Sequence, residues 1–170
     1  MVRWPLGDCG EDYLGRLTRQ FDVFNEPALT LGALYEAGDR LGAAVWLSPE
    51  QGEAYAEAAA AASRTRIPEL TDDGGHRWRT FWNWIDTKVP DERLWFLDQV
   101  GVDPAHQGRG IGAALIEFGL EQARSTKTAA FLETGTQRNV PYYERFGFRI
   151  IAAEDAPDGG PRIWFMRYDP

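Results

Sequence analysis

A chain of 170 residues, 44% hydrophobic and 26% charged, can bury a core of its own and is too apolar to be mainly disordered. Its 18 basic and 26 acidic residues leave a net charge of −8, which repels a phosphate backbone and argues against nucleic acid as a general partner. One cysteine, Cys9, excludes an internal disulfide. With histidines only at 76 and 106 there is no zinc-ligand spacing, and nothing singles out a site built from carboxylates alone, so no metal site is expected.

From the N-terminus, residues 1–6 lack the long apolar core of a signal peptide. Leu14, Leu17, Phe21 and Phe24 recur at three- and four-residue steps and predict an amphipathic helix over 12–24. Residues 29–36 and 41–47 read as two strands joined through Gly38-Asp39-Arg40. Ser48-Pro49 is a helix-start signal, and the alanine-rich stretch 55–63 continues that helix. Residues 71–75 form a loop before a helix over 77–86, with Trp78, Phe81, Trp82 and Ile85 on one side. Then come an apolar strand (94–102), a helix (110–124), a strand (129–134), a short helix (140–146) and two strands (148–152 and 162–168). This alternation predicts an α/β fold with parallel pairing in its second half. No stretch of about 18 apolar residues suggests a membrane span. No repeat or linker divides the chain, so residues 1–170 read as one soluble, cytoplasmic domain.

The most informative stretch joins the strand ending Val100-Gly101-Val102 to the turn Gln107-Gly108-Arg109-Gly110-Ile111-Gly112-Ala113. A glycine-rich turn that opens a helix offers unpaired N–H groups and the positive end of the helix dipole to an anion. Gly108, Gly110 and Gly112 let a pyrophosphate approach the main chain, and Arg109 can add a charge-assisted contact. The plainer alternative is a turn that merely caps a helix. A Walker loop is excluded, since Gly-Lys-Ser/Thr is absent. The dinucleotide fingerprint fits poorly, because the spacing is G-x-G-x-G and the loop lies past mid-chain.

Val102-x-Pro104-x-x-Gln107-x-x-Gly110-x-Gly112 resembles the acetyl-CoA loop of the GNAT family of N-acetyltransferases, and 139–148, NVPYYERFGF, resembles that family's second motif. Trp95-Phe96-Leu97, Val100-Gly101-Val102, Phe131-Leu132-Glu133-Thr134, Arg138-Asn139 and Ala44-Val45-Trp46 with Pro49-Glu50 resemble the puromycin N-acetyltransferase branch. The likeness is close from about residue 95 to 164 and thin before 41. It implies the mixed α/β acyl-CoA N-acyltransferase fold. That fold usually begins with a strand and helix ahead of the region that residues 1–6 match. Their absence here predicts a bare sheet edge, covered by a partner subunit in a homodimer or by local rearrangement.

The same resemblance implies site residues. Val100, Gly101 and Val102 would hold the acetyl and pantetheine arm and supply oxyanion donors. For this their strand must part from the strand at Phe131, by a bulge. Residues 107–113 (Gln107, Gly108, Arg109, Gly110, Ile111, Gly112 and Ala113) would grip the diphosphate. Tyr143, four residues before Gly147-Phe148, matches the family's general acid, and Tyr142 does not. Its alternative role is an ordinary core aromatic. Asn139 would bond the cofactor arm, or cap the helix that follows, or both. Glu133 is the first choice of base and Asp98 the rival, either acting directly or through water. Trp46 and Trp82 are expected in the substrate pocket, while Trp78, Trp84 and Trp95 pack between helix and sheet. His106 reads as a solvated loop residue, and Cys9 as an unactivated thiol. The expected activity is acetyl-CoA-dependent acetylation of a small amine by direct attack in a ternary complex. Aminonucleosides like puromycin are one candidate class. A protein or peptide acetyltransferase and a non-catalytic acetyl-CoA-binding module are the alternatives.

Overall fold

The computed structural model describes residues 3–8 and 10–170; Cys9 lies outside the described residues. The elements are α1 (Arg3–Leu6), α2 (Tyr13–Thr30), β1 (Leu34–Ala37), β2 (Gly42–Leu47), α3 (Gly52–Leu70), α4 (His76–Asp86), β3 (Trp95–Val102), α5 (Ile111–Thr126), β4 (Ala130–Thr134), α6 (Val140–Glu144), β5 (Arg149–Asp155) and β6 (Arg162–Tyr168). One sheet runs in the order β1-β2-β3-β4-β6-β5. Only β3 and β4 pair in parallel. The expected parallel pairing stops there, because β5 and β6 form an antiparallel hairpin and β6 lies antiparallel to β4.

Period-2 alternation sorts the strand side chains to two faces. Ala44, Trp46, Trp95, Leu97, Ala130, Leu132 and Met166 pack with α5 and α6 in one core. Val45, Leu47, Phe96, Phe131, Ile163 and Phe165 point to the other face, under α2, α3 and α4. The mixed α/β architecture expected from the sequence is therefore present, as helices covering both faces of a six-stranded sheet.

Two helices outrun their sequence signals. The strand expected over 29–36 shrinks to β1, because α2 continues through Pro27 to Thr30. Proline lacks an N–H and usually ends a helix. Here Val23, Phe24, Pro27 and Ala28 are all buried, and that packing outweighs the lost bond. Likewise α3 passes Pro68 to reach Leu70, with Ile67 and Leu70 buried beneath it.

Among the described residues no strand precedes β1, which forms the sheet edge beyond β2. With only four residues, β1 offers little length for unwanted pairing. Helix α2 packs against β1, β2 and α3.

Helix α5 meets the sheet at one close approach. Trp46 is fully buried and donates from Nε1 to the Leu115 carbonyl at 3.0 Å. A Cβ at Gly119 would lie 2.1 Å from the Trp46 ring, so the indole fits only because residue 119 has no side chain. Gly119→Val should therefore overpack the core and cost about 3 kcal/mol, read as a lower urea midpoint. Wild-type stability in this variant would show that α5 shifts freely on the sheet.

Candidate active site

The site begins where the sheet opens. The β3–β4 ladder holds only Trp95 opposite Ala130 and Phe96 opposite Phe131. Beyond Phe96 the two strands part, and the edge of β3 from Leu97 to Val102 that would face β4 has no ladder partner. On its other edge β3 stays paired to β2, but the register jumps: Val45 faces Gln99 while Trp46 faces Leu97. Asp98 is the extra residue of this bulge, which bends the strand. The parting expected from the sequence is thus present.

Below the open edge the chain turns into α5. Asp103 accepts from the Ala105 amide at 2.7 Å and shapes the turn, and Gln107 Nε2 donates to the Val102 carbonyl at 3.2 Å. Gly108 and Gly110 take φ of +75° and +84°, the left-handed region that favours glycine, and a Cβ at either would meet nothing within 4 Å. No side chain caps α5, and no acid lies in its first turn. Its ladder starts with the Ala114 amide donating to the Gly110 carbonyl at 2.9 Å, so the preceding amides are open to an anion.

A groove of about 620 Å³ runs along this turn. Val100, Gly101, Val102, Gln107, Gly108, Gly110, Ile111, Gly112, Ala113, Asn139 and Tyr143 all line it. Arg109 does not line it. Two other cations do, Arg138 and Arg145 beside α6. Both are exposed and neither has a carboxylate partner, and Arg145 lies 4.8 Å from the centre of the Tyr142 ring. Sequence reasoning assigns neither a binding role, although Arg138 belongs to the puromycin-branch likeness and Arg145 lies inside the motif that singled out Tyr143. His106 also lines the groove, half-buried, with Nδ1 making no hydrogen bond. It is less solvated than expected.

A second cleft, of about 200 Å³, opens on the α2 side of the parted strands. It shares Val100, Asn139 and Tyr143 with the groove, so these three stand at the seam between the two spaces. Gln20, Phe21 and Phe24 of α2 and Trp82 of α4 wall it, and Asp98 and Glu133 lie in it. Trp46 is the correction: it lines neither space, because its ring is buried under α5 against Gly119. Asn139 makes no side-chain cap for α6; its Nδ2 instead lies 3.4 Å from Thr134 Oγ1. Gly147, at φ +90°, follows α6 and closes it by donating to the Glu144 carbonyl at 2.9 Å.

The two acids differ in what surrounds them. Asp98 Oδ2 accepts from Tyr55 Oη at 2.7 Å and from Gln99 Nε2 at 2.9 Å. Burial pushes its carboxyl above the usual range, against the pull of those two donors. Glu133 has no cation beside it, and its Oε2 is sealed from solvent without a partner. Burial first, then the negative charges of Asp98 and Asp86, push its carboxyl up to about 8. Burial also pushes the Tyr143 phenol up to about 12, helped by Tyr142 and Glu133.

A model of the Acetyltransferase (GNAT) family matches residues 8–148. A mycothiol acetyltransferase of Mycolicibacterium gilvum is 40% identical over 78 residues, which is 41% of this chain and 26% of that protein. A glucosamine 6-phosphate N-acetyltransferase of Trypanosoma brucei brucei is 36% identical over 53 residues, 31% of this chain and 36% of that one. The chain spans from about a quarter to just over half of the length of the curated relatives it matches. Among solved structures, a Corynebacterium glutamicum protein described as histone acetyltransferase HPA2 and related acetyltransferase superposes with a TM-score of 0.67. It shares 19% identity, over 99% of this chain and 82% of that one, which is a likeness of fold.

The raised Glu133 carboxyl carries a stability signature. The folded chain holds this proton more tightly than the unfolded chain, so its contribution is complete below the ordinary value of 4.5 and is lost as pH rises through about 8. Glu133→Gln has no such proton to lose. Its melting temperature relative to wild type should climb steadily between those two limits and then level off. A pH-independent difference would place the carboxyl in water.

Proposed function

We propose that this chain, which belongs to the GNAT acetyltransferase family and uses that family's cofactor, acetyl-CoA, transfers the acetyl group to the amine of a small molecule by direct attack. The observation that carries this reading is the seam: Tyr143, Asn139 and Val100 border both the groove and the walled cleft. A groove on one side and a cleft on the other allow two substrates to meet at one strand edge. The parting of β3 and β4 makes the main-chain groups there available.

The groove fits the cofactor by its chemistry. The uncapped amides of Ile111, Gly112 and Ala113 suit a diphosphate, and Arg138 and Arg145 add unpaired positive charge beside it. The open edge around Val100, Gly101 and Val102 suits an amide-bearing arm that pairs with a strand, and its N–H groups can take up charge on a carbonyl oxygen. When bound, the cofactor supplies an acetyl thioester.

Glu133 serves as the base. Its carboxyl, pushed up to about 8, is basic enough to take a proton from an ammonium or a bridging water near neutrality. Asp98 is less suited, since Tyr55 and Gln99 already occupy its Oδ2. Its charge acts on Glu133, whose carboxyl it helps to raise. Tyr143 serves as the acid. A phenol pushed up to about 12 stays protonated at neutral pH. It is a weaker acid than a thiol near ~8.5, so its proton has to move as the C–S bond breaks, not beforehand.

The walls contributed by α2 and α4 favour a small amine over a protein substrate, which needs an open groove. The aromatic surface of Phe21, Phe24 and Trp82 suits an apolar or aromatic body, in keeping with the resemblance to the puromycin branch. We read the chain as one acetyltransferase domain acting in the cytoplasm; no helix among the described residues is long and apolar enough to cross a membrane.

The test is release of free thiol from acetyl-CoA across a panel of amines, puromycin included. Cofactor binding with no thiol release from any amine would leave a binding module instead. Tyr143→Phe should cut kcat by roughly 10–10⁴-fold with little change in cofactor affinity, and equal turnover would remove Tyr143 as the acid. The kcat/KM profile should rise with pH to a plateau above about 8, since the base acts deprotonated. Asp98→Asn should move that rise to lower pH, by withdrawing one of the charges that hold the Glu133 proton. An unmoved profile would separate Asp98 from the base.

A further inference from the structure

Helix α2 buries a face made of Gln20, Val23, Phe24, Pro27 and Ala28, spaced by three and four residues in turn. Gln20 is the odd member, a carboxamide where the pattern calls for an apolar side chain. It is 1% exposed, whereas Leu14 on the same helix is 72% exposed. Turning an amide inward while a leucine stays in solvent costs stability unless the amide finds a partner.

Four polar side chains are buried among the described residues, and three of them are partnered. Ser63 donates to the Ala59 carbonyl at 2.6 Å and Thr71 to the Ile67 carbonyl at 3.3 Å. Thr134 Oγ1 accepts from the Thr136 amide at 3.4 Å and lies 3.4 Å from Asn139 Nδ2. Gln20 is the exception. Its Oε1 is sealed from solvent without a partner, and its Nε2 donates to no protein group. Nε2 is the end that is not sealed, and the space that Gln20 lines is the walled cleft, together with Asp98, Glu133 and Tyr143. Buried amides are ordinarily satisfied, so a free donor on this wall points to a group that the bound acceptor brings.

The cleft limits what that group can be. Its volume of about 200 Å³ holds few heavy atoms, so whatever meets Gln20 lies within a few bonds of a nitrogen beside Glu133. A donor selects an accepting atom and gives nothing to a second ammonium. No arginine or lysine lines the cleft, and Asp98 and Glu133 do, so a carboxylate would be buried against negative charge. An uncharged oxygen remains.

We infer that Gln20 is a specificity-determining residue: its Nε2–H group donates to an uncharged oxygen (hydroxyl, ether or carbonyl) that the acceptor carries a few bonds from its attacking nitrogen. An acceptor without that oxygen leaves the amide dry and unpaired. A site built around a hydrogen bond rejects such a mimic more strongly than it rejects a lost methylene. The fate of the nitrogen rests on the acetyl-transfer reading, whereas recognition of the oxygen is measurable without it.

The experiment pairs 2-methoxyethylamine with n-butylamine and ethanolamine with n-propylamine, each pair alike in length and different by one oxygen. The kcat/KM ratio within each pair is compared between wild type and Gln20→Met, so the basicity of the amines themselves cancels. The wild-type ratio should exceed that of the variant by about tenfold in both pairs. The ether only accepts, so it isolates donation from Nε2, and a gain confined to ethanolamine overturns the inference. Gln20→Met should melt no lower than wild type, since it removes an unpaired buried amide; Gln20→Leu repeats the comparison if the first variant does not fold. In parallel, calorimetry measures binding of 2-methoxyethylamine and n-butylamine to the coenzyme A-loaded protein. A preference for the ether that Gln20→Met abolishes, with no turnover of any amine, keeps the role of Gln20 and overturns acetyl transfer. Turnover with the same pair ratios in wild type and variants overturns the role of Gln20 and leaves acetyl transfer standing. If the wild type neither binds nor acetylates the ether in preference to n-butylamine, Gln20 has no part in recognition.

Discussion

The whole arrangement hangs on a parallel strand pair that is only two residues deep. A backbone edge deprived of its ladder in a protein interior is costly, because its N–H and C=O groups must find partners. Here the loss is localised. The bulge at Asp98 bends β3, the β2 ladder keeps it anchored on one side, and β4 is anchored by β6 on the other. The gap is therefore held open by two antiparallel ladders, and its polar edge has no strand partner. The glycine-rich turn, α5 and α6 lie on one side of that gap, and α2 and α4 on the other.

The bulge has a second effect, on charge. It adds Asp98 as an extra residue in β3, where this carboxylate helps raise Glu133. Two acids in a poorly solvated cleft cannot both ionise cheaply. Tyr55 and Gln99 favour ionisation of Asp98 by donating to it, whereas Glu133 Oε2 has no partner. One backbone irregularity thus opens the strand edge and sorts the acids.

Much of this could be read from local pattern. Short apolar runs placed β2, β3, β4 and β6, and the run of glycines after Val102 marked the mouth of the groove. What failed was whatever depends on distant neighbours. The apolar steps of α2 end at Phe24, yet burial of its face carries the helix through Pro27 to Thr30. Trp46 reads as a pocket aromatic, yet a missing side chain at Gly119, many residues away, gives the ring a home in the core. Strand–helix alternation suggests parallel pairing and cannot foresee a terminal hairpin folding back on β4. Arg138 and Arg145 had no assigned role because two ordinary surface cations acquire meaning only when α6 sets them beside an uncapped helix.

An acidic molecule with a basic patch on one flank is electrically lopsided. Arg138 and Arg145 face the groove beside α5, whereas Asp86, Asp91 and Glu53 surround a space under α3 and α4. In the proposed reading, the anionic cofactor and the amine enter from opposite sides of the parted strands and do not compete for the same approach. Added electrolyte would slow the two arrivals independently, since each is guided by its own local field.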